Sequence, residues 1–143
     1  MNTENLSWIH FSGSKRFDYP IHYSVCCLSV DSSQNTIEFL SRWYSNSYCH
    51  YHRHLGETYI KVLEGEHNIV EINDHETVHK KRYSGFESIN SGGDSHMEYG
   101  GPDGCLVYFR CKAVNGKLFE VLDKDGTVLS YATIDDFTKN SGN

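Results

Sequence analysis

The sequence predicts a single all-β domain, a sandwich or barrel of many short strands. Three observations carry that expectation. Short runs of Val, Ile, Phe and Tyr recur along the chain, and clusters of Gly, Asn, Asp and Ser part them at fairly regular spacing. Aromatic residues are plentiful, with ten Tyr, seven Phe and two Trp against only two Pro. Such residues suit pleated strands closing around an interior. At 143 residues the chain can bury one core without staples.

In order, residues 1–20 are polar and Gly/Ser-bearing and read as a loose lead-in arm. Runs 21–30 and 36–43 read as strands, joined by the turn-forming Asp31-Ser32-Ser33-Gln34-Asn35. Further strands are expected at 58–63, 67–72, 105–113, 118–122 and 127–132. Turns are expected between them at Gly65-Glu66, Asn73-Asp74, the segment 100–104, Asn115-Gly116 and Asp125-Gly126. Residues 121–129 read as a tight hairpin, and 134–139 as a short helix. The resulting division is an arm with a first strand over 1–35, a barrel over 36–137 and a tail over 138–143.

Charge narrows the function. The formal net charge is −6, from 13 basic and 19 acidic residues, and Lys80-Lys81-Arg82 is a short basic run. That argues against a nucleic-acid or anionic-membrane surface. Five cysteines, Cys26, Cys27, Cys49, Cys105 and Cys111, form no CxxC pair. They read as small buried apolar residues in a reducing compartment. The first residues carry neither a basic nor an apolar leader segment, and no run approaches the length of a membrane span. Cytoplasmic residence is the expectation.

The chemistry concentrates in histidine. Of nine, three fall at His50, His52 and His54. In a strand, residues i and i+2 share a face about 6.5–7 Å apart, and two such imidazoles can converge on one ion. A third on the same strand lies too far away, so another ligand must come from elsewhere.

The segment from His52-Arg53-His54 to Glu64-Gly65-Glu66 resembles the first motif of the cupin family, an HxH pair followed by a strand that ends at a glycine. The segment from Gly85-Phe86-Glu87 to Gly93-Asp94-Ser95-His96 resembles the second motif, with Ser91 where Pro is usual. The resemblance implies a cupin fold (a double-stranded β-helix, or jelly-roll barrel) with His52, His54 and His96 as metal ligands. Two registers compete: pairing His50 with His52 puts Glu57 where the family carries a carboxylate ligand, whereas pairing His52 with His54 puts Thr58 there. The second register resembles the three-histidine cupin dioxygenases that cleave acetylacetone or 2,4′-dihydroxyacetophenone. The likeness runs over residues 48–137, apart from an insertion of about three residues between Glu87 and His96. Residues 1–35 match nothing in it.

That resemblance implies Fe(II), with Zn(II), Ni(II) or Mn(II) as alternatives. It implies a small carbonyl substrate, a β-dicarbonyl or hydroxyketone, and O₂ as partners, with oxidative C–C cleavage as the reaction. Three neutral imidazoles would leave the ion its full charge, which favours an enolate. Glu87, matching an acidic residue ahead of the third histidine, is expected to support a ligand or pocket water. Tyr59, Phe109 and His50 are expected to line the substrate pocket. His10, His22, His67, His75 and His79 read as surface residues, as do Arg42 and Arg110. A homodimer is expected. Two rival readings share the fold: a Lewis-acid isomerase, lyase or hydrolase, and a non-catalytic metal- or ligand-binding module.

Overall fold

The computed structural model describes residues 6–13, 20–72 and 76–138, without the side chains of Ile72 and Thr138. Among the described residues, ten strands form one curled sheet: β1 (Ile9–Ser12), β2 (His22–Asp31), β3 (Thr36–Trp43), β4 (His52–His54), β5 (Thr58–Ile72), β6 (Thr77–Tyr83), β7 (Glu87–Asn90), β8 (Ser95–Lys112), β9 (Lys117–Leu122) and β10 (Val128–Thr133). A single turn of helix, α1 (Ile134–Thr138), follows. The strand path runs β1-β2-β3-β8-β4-β9-β10, while β5 pairs with β6, β7 and β8 off that path. Every pairing between these strands is antiparallel, and outside them Ile21 and Tyr48 meet in a parallel bridge. The all-β barrel read from the sequence is therefore the fold observed.

Two expectations about elements need correction. Ile9–Ser12, inside the expected loose arm, form β1 and pair with β2 from Ile9↔Val25 to Ser12↔His22. The glycines at 65 and 100–104 do not end strands; they bend two long ones. β5 and β8 pair along most of their length, with register breaks between Val62 and Glu64 and between Gly65 and His67. Gly65 sits at φ +77°, and a Cβ there would lie 2.3 Å from the Gly104 carbonyl oxygen. A bulge with a glycine in the left-handed region lets the two strands touch while the sheet bends.

The bulge has a consequence for which side chains point inward. Before it, β5 buries Thr58, Ile60 and Val62; after it, β5 buries His67 and Ile69 on the inner face. Even positions give way to odd ones. Asn68 is also buried, held by Glu66 and His79. β8 changes phase likewise, from Glu98 and Gly100 to Cys105, Val107, Phe109 and Cys111. The inner core joins Val25, Ile37, Phe39, Trp43, Val62 and Val107 with further neighbours. A smaller cluster of Cys26, Leu40 and Leu106 is covered by Leu6 and Trp8. All five cysteines are free and four are buried.

Candidate metal centre

β4 presents His52 and His54 on one face, both buried, as strand alternation requires. His52 pairs with His96 across the β4–β8 ladder, which brings the third imidazole opposite the first. Two residues on, and so on the same face of β8, lies Glu98, 3 % exposed. His52, His54, His96 and Glu98 each offer one ligand atom, and these atoms all lie within 4.8 Å of one another. Of the two registers open in the sequence, this grouping uses His52 and His54. Glu57 is exposed and stands apart from it.

Hydrogen bonds fix the orientation of the group. Nδ1 of His52 donates to the backbone carbonyl of His50 at 2.6 Å, which turns Nε2 toward Glu98 Oε2 at 3.1 Å. His96 Nε2 stands 3.6 Å from the same oxygen, too far for a good hydrogen bond. Glu98 Oε1 meets His67 Nε2 at 3.0 Å. The loop ahead of His96 is tied to β4 by the Gly93 amide, which donates to the His54 carbonyl at 2.9 Å.

The electrostatics suit a cation. Burial followed by repulsion from His52 holds the His54 and His96 pKa values below the usual imidazole range, so both keep a lone pair. Burial would raise the Glu98 carboxyl, but hydrogen bonds from His52 and His67, with His96 alongside, outweigh it and hold the group anionic. Burial also opposes charge on His52, yet Cys49 and Glu98 beside it push its pKa well up. In the absence of an ion, a proton on His52 thus balances Glu98. His54 Nδ1 and His96 Nε2 are buried with no hydrogen-bond partner, a condition that a ligated ion relieves. Imidazoles and one carboxylate are donors for Fe(II), Zn(II), Ni(II) or Mn(II).

Three of the four, His52, His54 and Glu98, border a cavity of about 390 Å³. Its walls are mostly aromatic: Phe39 and Phe109 stack at 4.9 Å, Phe11 and Tyr23 at 4.8 Å, and Phe119 and Phe137 close in from β9 and α1. No Lys or Arg lines it among the described residues. Phe109 and His50 stand in the wall, and the Tyr23 hydroxyl lies 2.8 Å from His50 Nδ1. β1 and β2, from the part of the chain that resembled nothing, supply Ile9, Phe11, Tyr23 and Val25.

Four expectations differ from the structure here. Glu87 is exposed on β7 and bonds to the hydroxyl of Tyr59, and neither residue lines the cavity. β7 pairs only with β5, on the far side of that strand from the cluster, so Glu87 has no path to the ligands. His67 is wholly buried, not on the surface, because the β5 bulge changes its phase. Beside the three histidines stands a carboxylate that the three-histidine reading did not include: Glu98, at a position that the family motif does not mark. The i, i+2 rule that pairs His52 with His54 would have found Glu98 from His96. His10, His22 and His79 are exposed as expected, and His75 lies outside the described residues. Arg42 sits over Trp8 and Arg110 over Tyr59, both outside the cavity wall.

No protein-family model matches the chain, and no curated protein matches it. Solved structures do. An acetylacetone dioxygenase from Acinetobacter johnsonii superposes with a TM-score of 0.69 at 13% identity, covering 92% of this chain and 83% of that one. An RmlC-like cupin protein from Ralstonia eutropha gives 0.72 at 11% identity over 96% and 80%. A cupin-like protein from Thermotoga maritima gives 0.61 at 17% identity over 90% and 91%. At these identities the likeness speaks for the fold alone: the chain is a cupin-type β-barrel, of the shape that acetylacetone dioxygenase also has.

Proposed function

We propose that the protein is an Fe(II)-dependent cupin dioxygenase that cleaves a C–C bond next to a carbonyl in a small β-dicarbonyl or hydroxyketone. The observation that carries this reading is the His52–His54–His96–Glu98 group, of which His52, His54 and Glu98 border an aromatic-rich cavity. The barrel shared with an acetylacetone dioxygenase supports it.

His52, His54, His96 and Glu98 would hold the ion, and Fe(II) there would supply a redox-active Lewis acid for an enolate and O₂. Three neutral imidazoles and one carboxylate leave a divalent ion with a single net positive charge, which one enolate neutralises. Phe39, Phe109, Phe119 and Phe137 would pack the organic part of the substrate and keep water out. With no cationic side chain in the described wall, a second anionic group on the substrate would find no partner there. Glu98, held anionic, stays a ligand at neutral pH and is not expected to serve as a proton donor.

The test is metal analysis of protein purified without chelator, followed by O₂ uptake with β-dicarbonyls and hydroxyketones. Acid product should form one for one with O₂ consumed by the Fe(II) form. The Zn(II) form should consume none, since zinc has no accessible redox change. Equal turnover with zinc, or turnover in the strict absence of air, overturns the oxygenase reading in favour of Lewis-acid chemistry.

A further inference from the structure

We propose that His67 is a positioning residue for the metal centre, gripping Glu98 by one carboxylate oxygen so that the other alone faces the ligand histidines. The proposal rests on the cluster being a metal site but not on the reaction carried out there. His67 contributes nothing to the cavity wall, and its side chain is 0 % exposed. Its Nε2 lies 3.0 Å from Glu98 Oε1, while Glu98 Oε2 lies 3.1 Å from His52 Nε2 and 3.6 Å from His96 Nε2. The two oxygens are thus divided between two tasks.

The imidazole's own surroundings agree with a donor role. The Trp43 ring packs against it at 5.2 Å, and its Nδ1 is buried with no partner. A neutral imidazole protonated at Nε2 satisfies this arrangement best. It donates its one N–H to an anionic carboxylate, a strong charge-assisted bond. Only a lone pair is then left unmatched at Nδ1, in place of a buried N–H. A core position that served packing alone would be better filled by an apolar side chain, because burying a polar ring costs free energy unless it is bonded. The bulge at Gly65 is what delivers His67 to this face, diagonal to Glu98 across the β5–β8 ladder, where His67 pairs with Gly100 and Ile69 with Glu98.

With Oε1 engaged, Glu98 gives the ion one oxygen and cannot close on it with both. That keeps coordination positions available on the cavity side. Without the His67 donor, the carboxylate is free to turn, so the ion is held less firmly and its coordination number changes.

Co(II) is the probe, because its visible spectrum reports coordination number without any turnover. Wild-type protein, His67→Leu and His67→Gln are compared for Co(II) affinity and for the intensity of the visible bands. His67→Leu should weaken Co(II) by about 10–100-fold, the usual effect of losing a partner of a ligand, and should alter band intensity. His67→Gln restores an N–H near the place of Nε2 and should recover most of both. If His67→Leu does not fold, His67→Asn replaces it: the shorter amide falls short of Glu98 and should behave as the leucine variant would. Wild-type affinity and spectrum in the leucine or asparagine variant overturn the proposal, as does equal loss in the glutamine variant. Failure of the wild-type protein to bind Co(II) overturns it together with the metal site. A negative O₂-uptake screen with normal Co(II) binding bears on the reaction alone.

Discussion

Replacing Gly65 with alanine tests the feature on which the site's geometry depends. Gly65 stands at φ +77°, and an added Cβ would lie 2.3 Å from the Gly104 carbonyl oxygen and 3.0 Å from the Cys105 Cα. Both obstacles are backbone, so no side-chain rotation relieves them. The left-handed conformation costs an L-residue about 1–2 kcal/mol, and wedging a methyl into a packed contact costs about 1–3 kcal/mol. Together they give roughly 2–5 kcal/mol, a large share of the stability of about 5–15 kcal/mol usual for a domain. Gly85→Ala serves as the control: φ is +96°, but nothing lies within 4 Å of the new Cβ. It should cost only the conformational part, about 1–2 kcal/mol. Urea unfolding of the metal-free protein measures both, with an unchanged m-value showing that the change is one of stability. Gly65→Ala should also lower Tm by roughly 8–20 °C. Equal costs for the two variants would mean that β5 and β8 do not meet at Gly65 as described. The account of how His67 reaches the inner face would fall with that contact.

Other expectations concern the site itself. Glu98→Gln keeps the shape but removes the charge that balances the ion, and should weaken Co(II) binding by at least about tenfold, read by competition with a chromophoric chelator. Because His52 carries its proton well above the ordinary imidazole range in the metal-free protein, an ion must displace it. Binding should release about one proton at neutral pH, and affinity should rise with pH by up to about tenfold per unit. Calorimetric heats that do not depend on the buffer would contradict this. Glu87→Gln, on the exposed face of β7, should leave metal affinity unchanged within error; a tenfold loss would return Glu87 to the site.

Much of the site was legible because strand alternation and motif spacing are local signals. His52 and His54 share a face by the period of two, and the spacing to Gly65 and His96 marks the barrel halves that face each other. Phe109 falls in the wall for the same reason. What escaped depended on events between strands. The two-residue step from His96 to Glu98 is local, but the motif calls for a carboxylate only after the second histidine. His67 could not be placed by continuing the alternation of Thr58, Ile60 and Val62, because a bulge shifts the phase before it. The strands β6 and β7 are polar and pair only with β5, so they bury too little to show a hydrophobic period. Glycines at 65 and 100–104 resemble turn residues in sequence, and only the partner strand makes them bends. Residues 9–12 are too few to stand out, yet pairing with β2 makes them a cavity wall.

The pairing of His52 with His96 joins β4 to β8 across the whole excursion through β5, β6 and β7. Contacts of that separation form late, because the chain must close a long loop before it gains anything from them. An ion can therefore find its ligands only in a barrel that is already largely assembled. Such an ion would act as a latch on the finished fold and not as a nucleus for it. Loading with metal should slow unfolding while leaving the refolding rate almost untouched, the pattern of an interaction absent from the transition state.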